Sequence, residues 1–175
     1  VTAVSQSDAF TVGFNVIGNP TFFNPIGAAL RQEANGIQSS AGAFFVAGVF
    51  AGSVDFDTPS GPLPALDSQG DLAAFGLTYD YGGTLVGQQA LPSSGTTRGI
   101  GLGVDRNDAD SSCLVGNFDG DLPLSNGQAS APPGETDGFV QCYTVPPAAV
   151  GTNARAIGSA RGIQSINGVA KYGPA

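Results

Sequence analysis

The stretch Ala43-Phe44-Phe45-Val46-Ala47-Gly48-Val49-Phe50-Ala51-Gly52-Ser53-Val54-Asp55-Phe56 decides the fold. Its opening run is short, apolar, and rich in aromatic and β-branched side chains, the signature of a buried strand. Beyond Gly52 the pattern alternates, which places Phe50, Val54 and Phe56 on one face. The apolar run from Ala41 to Val54 is too short to cross a bilayer and contains several glycines. Upstream, Gly36 to Gly42 reads as a short strand and a turn. Downstream, Asp57 to Gly70 holds three prolines and reads as a loop. Asp71 to Tyr79 is a third strand with Ala73, Phe75, Leu77 and Tyr79 on one face, and Thr84 to Leu91 is a fourth.

The same plan recurs. Asn35-Gly36-Ile37, Arg98-Gly99-Ile100 and Arg161-Gly162-Ile163 fall 63 residues apart. A second landmark runs alongside: Asp8-Ala9-Phe10, Asp71-Leu72-Ala73 and Asp137-Gly138-Phe139 each open a strand-like segment. Cys113-Leu114-Val115-Gly116-Asn117-Phe118 matches Phe45 to Phe50, and Gly120, Leu122 and Leu124 match Gly52, Val54 and Phe56. Phe139, Gln141, Tyr143 and Val145 alternate along the later third strand, as Phe10, Val12, Phe14 and Val16 do along the first. Five extra residues within Asp105 to Ser111 read as a loop insertion. Ile26 to Glu33 has room for about two helical turns at 3.6 residues each, but its counterparts look extended. The expectation is a single all-β domain over 1–175, built of antiparallel four-stranded units. Residues 36–98 and 99–161 are two whole units; 162–175 and 1–35 are the beginning and end of a third, split between the termini. Those ends either meet within one molecule or complete a neighbour.

Composition narrows the function. Hydrophobic residues make up 41% of the 175 and charged residues only 11%, so Gly, Ser, Thr, Asn and Gln must cover much of the surface. That balance is common in secreted β-rich proteins. The formal charge is −8, with six cationic side chains and no basic cluster. A nucleic acid needs cationic contacts to displace its counterions, so it is not an expected partner. An anionic membrane surface is disfavoured for the same reason. No Met stands at position 1 or elsewhere, so Val1 reads as a processed N-terminus; removal of a secretory signal and an arbitrary cut at this point would leave the same end, and a secreted or cell-surface chain is the expectation. Cys113 and Cys142 fall on neighbouring strands of one unit. They make either one disulfide in an oxidising compartment or two buried thiols.

Catalysis finds little support. The chain has no His, which removes Ser-His-Asp and Cys-His arrangements and imidazole metal sites. Asp55, Asp57, Asp119, Asp121 and Glu135 are conceivable glycosidase carboxylates, but they sit beside Gly and Pro and read as solvated turn acids. Asp105, Asn107, Asp108 and Asp110 concentrate oxygen ligands of the kind calcium takes. The spacing lacks the Gly and the distal acid of a calcium loop, so an acidic turn is the reading and no metal or cofactor is assigned.

Through Gly36, Gly48, Phe50, Gly52, Phe56 and Asp71, and again Gly99, Gly116, Phe118, Gly120 and Asp137, the chain resembles the β-propeller repeats of bacterial secreted and surface proteins. The segment Asp105 to Ser112 departs from that family's tight Gly turn. The resemblance implies that each unit is a four-stranded blade. Propellers close with about four to eight blades, more than two whole units and one split unit supply. Self-association into a ring or filament is therefore expected. Asp8, Phe10, Val12 and Phe14 at one end, and Ile163, Ile166, Val169 and Tyr172 at the other, are the expected subunit interface. The main expectation is a non-enzymatic structural subunit; the alternative is a propeller-type module that binds carbohydrate or another surface ligand.

Overall fold

The computed structural model describes residues 8–26, 30–40, 43–56, 63–69, 72–105, 108–144 and 150–157. Among them every regular element is a β-strand, every strand pairing is antiparallel, and no sheet closes on itself.

The chain opens with a hairpin of β1 (Ala9–Phe14) and β2 (Pro20–Ile26). Its turn is held by Asn15, whose Oδ1 accepts the N–H groups of Ile17 and Asn19 at 3.1 and 2.9 Å. This is the local bonding that suits Asn to turns. β1 therefore stops at Phe14, and Val16 stands in the turn rather than continuing the strand.

Next come β3 (Gln32–Ser40) and β4 (Ala43–Phe50), the small ribbon of β5 (Ser53–Val54) and β6 (Leu66–Asp67), then β7 (Ala73–Asp80) and β8 (Leu85–Leu91). The four long strands form one sheet in the order β3-β4-β7-β8. β9 (Thr97–Asp105) and β10 (Asp108–Phe118) follow, then the ribbon of β11 (Asp121–Leu124) and β12 (Gly127–Ser130), then β13 (Asp137–Thr144) and β14 (Val150–Ile157). Here too the long strands make one sheet, ordered β14-β13-β10-β9. β3 and β9 run across positions 35/36 and 98/99, so the first two Gly-Ile landmarks lie inside strands rather than between elements, and the third lies outside the described residues.

The segment expected as a loop insertion, Asp105 to Ser111, is mostly strand. β9 runs to Asp105 and β10 begins at Asp108, and their register slips between Asp108 and Ser112. Extra residues lengthen the hairpin, because a slipped ladder still satisfies most backbone groups. The Ile26 to Glu33 stretch likewise ends β2 and begins β3 rather than forming a helix; 27–29 lie outside the described residues.

Packing runs in layers. Phe44, Val46, Phe50, Ala73, Phe75, Leu77 and Tyr79 cover one face of the β3-β4-β7-β8 sheet and share a core with Ala9 and Ile26 of the hairpin and with Val54 and Phe56. Ala47, Ala74 and Leu91 on its other face pack with Leu114, Phe118, Leu122, Phe139 and Tyr143. Seven of the eight residues of β4 are buried for this reason: both its faces are covered. A fully buried strand has no use for polar alternation, which explains the unbroken apolar run.

Three glycines follow from geometry. A Cβ on Gly48 would lie 2.0 Å from the carbonyl oxygen of Glu33 and 2.5 Å from the ring of Phe75. The ring lies across the bare backbone of its cross-strand partner. Gly52 and Gly120 take φ of 74° and 69° as each ribbon leaves its sheet, a conformation that favours Gly.

Candidate assembly interface

The hairpin has two unlike faces. Strand alternation sends Ala9 and Thr11 inward with Ile26, and all three are buried. Phe22 joins them, stacked on Phe44 with ring centroids 5.5 Å apart, and Phe44 stacks on Tyr79 at 5.0 Å. The Asn24 amide donates to the carbonyl of Gly83 at 2.6 Å. These contacts pin the hairpin to the sheet beneath it.

The outer face is open. Phe10 and Phe14 are 59% and 61% exposed and Phe23 is 43% exposed, while Val12 is half-buried. Phe10 and Phe23 stack with centroids 5.7 Å apart. Val16 and Ile17 extend the apolar surface into the turn and are also exposed. Among the described residues β1 pairs only with β2, whereas β7 and β13, the strands at the other two Asp landmarks, each pair on both edges. An apolar face beside a strand edge that no described strand pairs is a candidate interaction surface. Asp8, half-buried, lines a cleft of about 380 Å³ with Ala9, Phe10 and residues 32–35.

Of the eight residues expected at the interface, Phe10, Val12 and Phe14 lie together on β1, and Asp8 directly precedes that strand. Ile163, Ile166, Val169 and Tyr172 lie outside the described residues. Phe23 was not picked out from the sequence. Its place opposite Val12 follows from the hairpin register, which the turn sets and local patterning does not reveal.

Cys113 and Cys142 form a disulfide between directly opposed residues of β10 and β13. It is consistent with an oxidising compartment.

The acids considered above for catalysis or calcium fall into three groups. Asp119, Asp121 and Glu135 line one open cleft of about 560 Å³ together with Ser94, Pro132 and Pro133. Two of these carboxylates are engaged in local structure. Asp119 Oδ1 accepts the N–H of Thr96 and Asp121 Oδ1 accepts the Ser130 hydroxyl, both at 2.5 Å. Ser94 ties the loops together by accepting the N–H of Asp121 at 2.7 Å. Among the described residues no aromatic side chain lines this cleft. Asp55 is exposed, and Asp57 lies outside the described residues. Asp105 ends β9, and Asp108 and Asp110 belong to β10, while Asn107 lies outside the described residues. Among the described residues no group of three or more Cys, Asp or Glu side chains is placed to hold a metal ion, and no helix is long and apolar enough to cross a membrane.

No known protein family and no curated protein matches this chain.

Proposed function

We propose that the chain is a non-enzymatic, secreted structural subunit that assembles with copies of itself through complementary ends. The observation that carries this reading is the half-layer at the start of the fold. β1 and β2 make a two-stranded sheet where each following layer has four long strands, and the outer face of this pair is aromatic. On this reading each four-stranded sheet is one repeat unit of the propeller-blade kind, and the hairpin is the second half of a third. The first half is supplied by 162–175, where Gly162-Ile163-Gln164-Ser165 repeats Gly36-Ile37-Gln38-Ser39. The strand it provides adds to the edge of β1, with backbone hydrogen bonds giving affinity and Ile163, Ile166, Val169 and Tyr172 covering apolar surface. One such bond is worth only about 1 kcal/mol net, but a row of them beside buried side chains holds an assembly. A ring and a filament both satisfy this arithmetic, the choice resting on whether the interface rotation closes.

Deleting Val169 to Ala175 tests the reading. The truncated chain should keep its disulfide and its folded sheets yet sediment as a monomer. Assembly equal to that of the full chain would remove the tail as connector.

A further inference from the structure

The side chains that an oxidant meets first in most proteins are missing from this one. The sequence contains no Met, no Trp and no His. Both cysteines are joined in the disulfide, so no free thiol remains. Thiols and thioethers ordinarily take up oxidising equivalents. Without them, the four tyrosines are the most readily oxidised groups of the chain.

The fold sorts these tyrosines. Tyr79 and Tyr143 are buried, and the ring of Tyr79 stacks on Phe44. A phenol that loses an electron near neutral pH must also release its proton. The Tyr143 hydroxyl has no hydrogen-bond partner among the described residues to receive one, and burial raises its pKa. Neither buried ring can reach a second molecule. Tyr81 is different: it sits on the turn between β7 and β8 and is 58% exposed. Asp80 holds that turn. Its N–H donates to the carbonyl of Thr84 and its carbonyl accepts the N–H of Gly83, both at 3.0 Å, while its Oδ1 accepts the N–H of Thr84 at 2.8 Å. Gly82 and Gly83 follow, Gly83 with a φ of 87° that favours Gly. The next two residues therefore bring no side chain to shield the ring. Tyr172 lies outside the described residues.

We propose that Tyr81 is a site of oxidative cross-linking, at which a one-electron oxidant of the peroxidase type, working with hydrogen peroxide, joins two copies of the chain as a dityrosine. Each Tyr81 gives up one electron and its phenolic proton, which leaves a radical shared between the oxygen and the ring carbons beside it. Two radicals form a carbon–carbon bond between those ring carbons. The hydrogen on each bonding carbon then returns to the oxygen of its ring, and both phenols are restored. Hydrogen peroxide takes up the two electrons and two protons and leaves as two waters. The proposal does not depend on the self-assembly reading, because exposed rings couple in collisions between monomers as well as within a ring or filament. In an assembly, the bond makes a reversible contact permanent.

The test treats the full-length chain with a peroxidase and hydrogen peroxide. Dityrosine fluorescence and covalent dimers on a reducing, denaturing gel read the reaction, and mass spectrometry of the digested dimer locates the bond. The parent should give both signals, with Tyr81 joined to Tyr81. Tyr81→Phe keeps the ring and removes the hydroxyl; circular dichroism and an intact disulfide check that it folds. It should lose fluorescence and dimer to the level of untreated protein. Tyr172→Phe should cross-link as the parent does. Overturning results are a Tyr81→Phe chain that cross-links like the parent, a Tyr172→Phe chain that does not cross-link, or a parent that yields no dityrosine. Sedimentation before treatment separates this proposal from self-assembly. A parent that is monomeric yet cross-links keeps Tyr81 and removes assembly, and one that assembles without dityrosine does the reverse.

Discussion

The β3-β4-β7-β8 sheet and the β1-β2 hairpin are built of the same residue types and differ in what covers them. Phe44, Val46, Phe50, Phe75 and Leu77 are all at most 8% exposed, because a hairpin lies on one side and a second sheet on the other. Phe10 and Phe14 have aromatic side chains at comparable strand positions and are mostly exposed. Apolar side chains are thus equally frequent where the fold consumes them and where it leaves them open. The difference teaches that burial here is set by the position of a layer in the stack, and that among the described residues no further layer covers the outer face of the first.

The sharpest way to strain this comparison is to remove a ring from each region. Phe75→Ala opens a cavity between two covered faces and should cost about 3–5 kcal/mol of unfolding free energy in a denaturant titration. Phe14→Ser, on the uncovered face, should change the stability of the monomer by less than about 0.5 kcal/mol, the usual range for surface changes. Equal losses at both positions would mean that the hairpin's outer face is already buried by the chain's own residues.

Next in size is the disulfide, which closes a sequence separation of 29 between β10 and β13. Replacing both cysteines by Ser should cost about 3–4 kcal/mol by the loop-entropy estimate. The native protein should show no alkylatable thiol in mass spectrometry. Two free thiols would contradict the pairing.

Gly48→Ala probes the doubly covered sheet from its backbone. A methyl group there meets the Glu33 carbonyl and the Phe75 ring, so β3 and the ring must both shift, at about 1–3 kcal/mol. A neutral result in thermal melts would show that the sheet yields more easily than its packing indicates.

Tyr143 gives the smallest effect at neutral pH and a distinct one in alkali. It is 3% exposed in the core between the two four-stranded sheets, its hydroxyl has no hydrogen-bond partner among the described residues, and burial pushes its pKa well above the ordinary 10.0. The folded state therefore holds the phenolic proton more tightly than the unfolded chain does. The stability linked to it is complete below about pH 10 and is lost as the pH climbs further. Tyr143→Phe should leave stability at pH 7 almost unchanged, since no hydrogen bond is broken. It should also flatten the alkaline loss. An unchanged alkaline profile would assign that loss to other groups.

Much of this was legible in residue patterning. The run from Ala43 to Phe50 gave away a buried strand, and the alternation of Ala73, Phe75, Leu77 and Tyr79 is the observed core face. Gly48, Gly52 and Gly120 stood out by position, and close packing or positive φ explains each. Seven of the eleven Phe are buried. Alternation alone does not separate those from Phe10, Phe14 and Phe23. A strand's period says which residues share a face but not whether another layer lies over it. The Asp105 to Ser111 segment misled for a related reason: polar composition suggests a loop, but the backbone pairing of β9 and β10 accommodates the same residues.

The central claim is that molecules of this chain complete one another, and electron microscopy of the purified full-length protein tests it most directly. The account predicts rings or filaments in which the hairpin of each subunit meets the tail of the next. A field of separate monomers, with sedimentation showing one small species at every concentration, would contradict it.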